Sequence, residues 1–194
     1  MTLLASKIIW CIGVVSWFVI RYPHARRSRR VRKARIIGRG LERTLLLLSA
    51  CGLGVVPAIF VFTDLLKFAD YPIQFWQPWA GLLVFALALW MFRRTHSDLG
   101  RNWSVTLEVR EDHSLITEGI YRHVRHPMYT AFWLWALAQA ILLPNWMAGF
   151  AGIVGFGTLY LCRVGREEEM LLQTFGDKYR DYMQRTRRII PRLF

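Results

Sequence analysis

Apolar and basic residues are kept apart along this chain, and that separation constrains its fold more than any other feature. Five blocks nearly free of charge run from Leu3 to Ile20, Thr44 to Phe62, Ile73 to Phe92, Met128 to Leu143 and Trp146 to Cys162, and the 26 Lys and Arg fall almost wholly between and after them. A helix of about 20 apolar residues spans the hydrocarbon of a bilayer. With 54% hydrophobic residues and a mean hydropathy of +0.25, the blocks predict an all-α integral membrane protein of about five transmembrane helices. Pro57 predicts a kink in the second span, where a neighbour must satisfy the freed carbonyl. Pro144-Asn145 is a tight-turn dipeptide, so the last two blocks form a helical hairpin. Its arms are short for full spans, which predicts either a thinned bilayer or helices that continue as polar turns.

Counting charges orients the spans. Arg21 to Arg43 holds ten Lys or Arg, Arg93 to Arg125 six and Arg163 to Arg192 eight, leaving only Lys7 and Lys67 for the other side. Basic residues near span ends stay cytosolic, so the N-terminus is expected outside and the C-terminus inside. The same distribution argues against nucleic acid, although the net charge is +13 and the pI about 10.5. The cations flank apolar spans as anchors for an anionic leaflet, and no helix-turn-helix or zinc-finger pattern lies between them. Cys11, Cys51 and Cys162 all fall in apolar blocks without a Cys-x-x-Cys pair, which indicates neither a disulfide framework nor structural zinc. A cleaved signal peptide is not expected, because the strongly basic segment follows the first block instead of preceding it.

Chemistry is expected between two polar stretches, 93–129 and 163–194. In the first, Gly119-Ile120-Tyr121 leads to Arg125-His126-Pro127-Met128-Tyr129, where proline opens an apolar helix. The amides of that first turn can hold a carboxylate or phosphate, or the motif is a capped membrane helix with Arg122 and Arg125 on lipid phosphates. His123 and His126 form an His-x-x-His pair but lack further ligands at workable spacing, so no metal is expected. In the second stretch Arg163 and Glu167 are four apart and share a helical face, with Glu168 and Glu169 beside them. They form either a solvated pair or a carboxylate and an arginine facing a ligand.

At these residues the chain resembles the isoprenylcysteine carboxyl methyltransferase family, membrane enzymes that methylate the carboxylate of a lipidated cysteine with S-adenosylmethionine (SAM). The resemblance runs from about Leu99 to Pro191. It rests on Asn102-Trp103, His113 to Ile116, Gly119 to Tyr121, Arg125 to Tyr129, Arg163 with Glu167 to Glu169, and Phe175-Gly176 with Tyr179 and Tyr182. The length and five-span layout are most similar to short prokaryotic members, implying the cytoplasmic membrane of a prokaryote. The resemblance implies a three-span scaffold over 1–92, with its basic linker at 21–43, and a catalytic core over 93–194 containing the hairpin 128–162. The 93–127 loop and the C-terminal helix would cap the cofactor from the cytosol. His113, Ser114, Leu115, Ile116, Tyr121, His126, Pro127, Met128, Tyr129, Glu167 and Glu168 would contact SAM, with Glu108 a further polar contact, and S-adenosylhomocysteine would be the product. Arg163 would face the substrate carboxylate, and Arg125 would share that task or hold the amino-acid end of the cofactor. The partner implied is a lipidic carboxylate entering from the bilayer. Alternatives are a lipidic amine or thiol acceptor, a nicotinamide-dependent sterol-type reductase, or a non-enzymatic membrane adaptor.

Overall fold

The structure is a computed structural model and describes residues 2–28, 39–99 and 115–191. The apolar blocks are helical apart from residues 73–76, where the third was expected to begin, and Leu143 at the end of the fourth. α1 spans Leu3–Ser28, α2 Arg39–Ala50, α3 Val56–Phe62, α4 Gln77–Leu99, α5 Pro127–Leu142, α6 Trp146–Phe175 and α7 Asp177–Arg185. The described residues contain no strand, only two isolated bridges.

Among the described residues, three helices are long and apolar enough to cross a membrane: Leu3–Arg26, Gly40–Phe62 and Trp146–Phe175. Five spans were expected. α5 has 16 residues, only about 24 Å at 1.5 Å per residue. The apolar run of α4 is bracketed by Gln77-Pro78 and by Arg93-Arg94. α4 also continues through those arginines to Leu99, so residue 92 is not a helix end. α6 has 30 residues, about 45 Å, and carries its polar last turns well past the apolar block.

Pro57 produces a local change of helix type. A π-helical turn over Cys51–Val55 joins α2 to α3, and the Val56 amide bonds back five residues to Cys51 O. In that register the next donor belongs to Pro57, which has none, and Gly52 O is left over. Gln139, fully buried on α5, donates Nε2 to Gly52 O at 3.0 Å and to Ala148 O at 2.7 Å. The apolar groove between α2 and α6 needs small residues for this. A Cβ on Gly52 would lie 2.2 Å from Ala151 O, and one on Gly155 would lie 2.7 Å from Leu48 O.

The hairpin turn is fixed from outside. Asn145 caps α6 by accepting from Ala148 N at 2.8 Å, and its Nδ2 donates to Leu66 O and Asp70 Oδ1, both at 2.7 Å. Phe85 of α4 packs on Trp135 of α5, which meets Trp17 of α1 edge-on. Gly81 lets Leu142 lie against the α4 backbone. These contacts set α1, α4, α5 and α6 around one apolar core whose polar end holds Arg163 and Glu167.

Candidate functional site

Proline opens α5 with His126 as the residue before it, and the last turns of α6 run alongside. Glu167 and Glu168 therefore face the start of α5. The Tyr129 hydroxyl donates to Glu167 Oε2 at 2.5 Å, and His126 Nδ1 lies 3.6 Å from Glu167 Oε1. Arg163, one turn earlier on α6, places Nε 3.6 Å from Glu167 Oε2. The two side chains thus lie within ion-pair distance on one helical face.

Glu168 is the hub of a second cluster. Its Oε1 accepts from Arg125 Nε at 3.1 Å and Nη2 at 2.9 Å, with His126 Nε2 at 3.3 Å. Its Oε2 accepts from Arg188 Nε at 3.0 Å and Nη2 at 2.6 Å. The Glu168 side chain is 5% exposed and that of Arg125 8%, so both charges depend on one another. Arg125 Nη1 also donates to Met183 O and Thr186 O, while the Arg125 and His126 amides bond Arg187 O and Arg188 O. Thr130 Oγ1 donates to Ile189 O at 2.7 Å. Residues 186–189 thereby form a strap across the entrance to α5. Burial disfavours the charged form of His126, but the two carboxylates outweigh it and hold its pKa above the ordinary 6.5.

The segment 115–126 is anchored at both ends. Asp98 of α4 accepts the Ile120 amide at 2.8 Å. Gly119, at φ +60°, sits where a Cβ would strike Asp98 Oδ2. Tyr182 of α7 donates to Tyr121 O at 2.5 Å. Burial raises the pKa of Tyr121, Tyr179 and Tyr182 above the tyrosine range, so all three remain neutral.

Together these elements line a partly open cavity of about 540 Å³, within the range of small-molecule sites. Leu115, Ile116, Tyr121, Arg125, His126, Pro127, Met128, Tyr129, Arg163 and Glu167 all line it. Glu168 stands behind this wall with both oxygens engaged, and Glu108, His113 and Ser114 lie outside the described residues. His126 is buried whereas His123 is exposed. Sequence reasoning missed several contributors. Val14, Trp17 and Phe18 of α1 and Leu46 and Leu53 of the α2 region form an apolar wall opposite α5, and Arg21 of α1 adds a cation to the lining. Tyr179 lines the cavity at 1% exposure, and its hydroxyl has no hydrogen-bond partner among the described residues. Glu42 of α2, also buried, reaches Arg163 Nη1 at 3.3 Å. A carboxylate in a basic linker gives little sequence signal, but its place in the first turn of an amphipathic helix was available as one.

Comparison with known proteins points to the same stretch of chain. Residues 79–173 match the isoprenylcysteine carboxyl methyltransferase (ICMT) family. A protein-S-isoprenylcysteine O-methyltransferase of Dictyostelium discoideum is 38% identical over 79 residues, which are 39% of this chain and 32% of that protein. Protein-S-isoprenylcysteine O-methyltransferase B of Arabidopsis thaliana is 27% identical over 139 residues, 71% of each. The solved structure of the eukaryotic intramembrane Ras methyltransferase ICMT superposes with a TM-score of 0.55 at 28% identity, covering 81% of this chain and 55% of that one. The matched part of the chain thus covers about a third of the Dictyostelium relative and about half of the solved chain.

Proposed function

We propose, from the match of residues 79–173 to the isoprenylcysteine carboxyl methyltransferase family, that the chain is an integral membrane methyltransferase that uses SAM to methylate the carboxylate of a lipidic, isoprenylcysteine-like acceptor. The observation that carries this reading is the cavity itself. One continuous pocket is lined both by charged groups at Arg163 and Glu167 and by aromatic and aliphatic side chains at Trp17, Leu53 and Phe132. That is what a substrate with an anionic head and an apolar tail requires.

The residues present fit the cofactor. Tyr179 lines the cavity and its hydroxyl is buried without a partner among the described residues, the kind of group a polar ligand satisfies. Leu115, Ile116, Tyr121, His126, Pro127, Met128, Tyr129 and Glu167 would hold SAM, joined by His113, Ser114 and Glu108 from the preceding loop. When bound, SAM supplies an electrophilic methyl group. An acceptor carboxylate with a pKa near 4 is ionised at neutral pH, so the chain needs no general base for it. Its task is alignment and exclusion of water. Arg163 would orient the carboxylate, and the Arg125–Glu168 pair would hold the strap and α5 in register behind the site. With the charged end on the cytosolic side, the loop before α5 and α7 would form the cap, and the tail would lie among the apolar walls of α1 and α2.

Calorimetric titration of the detergent-solubilised chain with S-adenosylhomocysteine and with NADPH tests the reaction class. Saturable binding of the first alone, followed by methyl transfer to a lipidic acid, is the expected result. Folded protein that binds neither would overturn it, and binding of NADPH alone would point to reduction.

A further inference from the structure

Glu42 lies outside the residues that match the family model, yet it forms an ion pair with the arginine at the polar end of the cavity that is shorter than the one from Glu167. A guanidinium receives a carboxylate along one of its N–H edges. In Arg163 the Nη1 side faces Glu42 Oε1 at 3.3 Å, and the Nε side faces Glu167 Oε2 at 3.6 Å. The side chains of Arg163 and Glu42 are 12% and 9% exposed, so the pair is shielded from water and its attraction is little screened. Glu167 is also held by the Tyr129 hydroxyl on that same Oε2 and by His126 on Oε1. Glu42 reaches in from another helix.

We propose that Glu42 is a specificity-determining residue: an internal carboxylate seated on Arg163 where an acceptor's anionic group must bind, so that an anionic acceptor engages the arginine only by exchanging with it. This rests on the reading of the cavity as an acceptor site. Glu42 thereby lowers the affinity for acids relative to uncharged lipids of the same shape, and it keeps the arginine paired until an acid displaces it. Two features of the surroundings agree. The neighbours Arg43 and Thr44 are exposed while Glu42 is buried, so α2 points the Glu42 side chain inward. Its position in the first turn favours a negative charge, which makes it a strong competitor.

The test compares binding of a farnesylated thiocarboxylic acid with binding of its methyl ester, read from the intrinsic fluorescence of the cavity tryptophans Trp17 and Trp135 with no methyl donor present. In the wild-type chain the acid is expected to bind within about twofold of the ester. Glu42→Gln, which keeps shape and removes charge, is expected to tighten the acid roughly tenfold and leave the ester unchanged, and Glu42→Asp to fall between. Equal effects on acid and ester, or weaker acid binding in Glu42→Gln, would overturn the proposal and leave Glu42 as a support for Arg163. A wild-type chain that already prefers the acid tenfold would overturn it without any variant, as would failure to bind either lipid. Because no donor is present, the outcome is independent of turnover. If acid selectivity shifts as expected but S-adenosylhomocysteine does not bind, the methyltransferase reading fails while the exchange at Arg163 stands.

Discussion

Replacing Glu168 with glutamine perturbs the most connected charge in the molecule. The carboxylate answers the cations of Arg125 and Arg188 and the ring of His126 at once, at 2.6 to 3.3 Å. Breaking a buried pair by removing one partner costs about 3 to 5 kcal/mol, because the other charge stays buried. Glutamine keeps one carbonyl acceptor for Arg125, so the lower end, about 3 kcal/mol, applies to that contact. The Arg188 side chain is 45% exposed, and its share is limited by screening to at most about 1 kcal/mol. The expected loss is therefore about 3 to 4 kcal/mol, read from denaturant titration in mixed micelles by tryptophan fluorescence. Geometry predicts a second readout. Arg125 is also the donor to Met183 O and Thr186 O, so its reorientation releases the strap 186–189, and trypsin should cut after Arg185 and Arg187 much faster than in the wild-type chain. Arg188→Ala should cost less than about 1 kcal/mol. A loss below about 1 kcal/mol for Glu168→Gln with the tail still protected would refute the reasoning, since it would mean that the cluster is not what closes the site.

Tyr179→Phe removes a buried hydroxyl that has no described protein partner; folding stability should change by less than about 0.5 kcal/mol, while S-adenosylhomocysteine binding weakens about threefold to tenfold by calorimetry, one hydrogen bond's worth. Tyr129→Phe deletes the 2.5 Å hydrogen bond to Glu167 and should cost about 1.5 to 3 kcal/mol in the same unfolding assay, as expected for a bond to a charged acceptor. The raised pKa of His126 makes its stabilisation full below pH 6.5 and lost as pH rises through the raised folded value; stability measured from pH 6 to 9 should fall on the alkaline side, and His126→Gln should flatten that limb. Asn145→Ala breaks one cap and two tertiary hydrogen bonds at a fully buried position, and a loss of about 2 to 4 kcal/mol is expected from caps and unsatisfied groups together.

What the sequence revealed of the fold was what hydropathy and short-range spacing encode. The hairpin turn at Pro144-Asn145 and the opening of α5 at Pro127 are local signals, and both stand in the structure. The end of α6 was hidden because Arg163 to Glu169 break an apolar window without breaking helical periodicity. Helix propensity and i,i+4 pairs carry the helix to Phe175. The consequence of Pro57 was legible only in part. A freed carbonyl could be foreseen, but that Gln139 answers it through a π turn depends on packing between helices distant in sequence.

The site divides along the same line. Residues in contiguous motifs, from Leu115 to Tyr129 and from Arg163 to Glu167, converge on one cavity, because each motif sits at a helix end whose direction the motif itself sets. The residues that decide how those motifs are held come from elsewhere, and each looks ordinary in its own neighbourhood. Asp98 reads as a surface carboxylate near the end of α4, Arg188 as part of a basic tail and Glu42 as a lone acid in a basic linker, yet they hold the Ile120 amide, Glu168 and Arg163 respectively. Each makes a contact 20 or more positions away in sequence, although Asp98 also pairs with Arg94 one turn earlier on α4. In a membrane protein such a charge is costly to leave unpaired, so the isolated acid beside an apolar block is itself a signal.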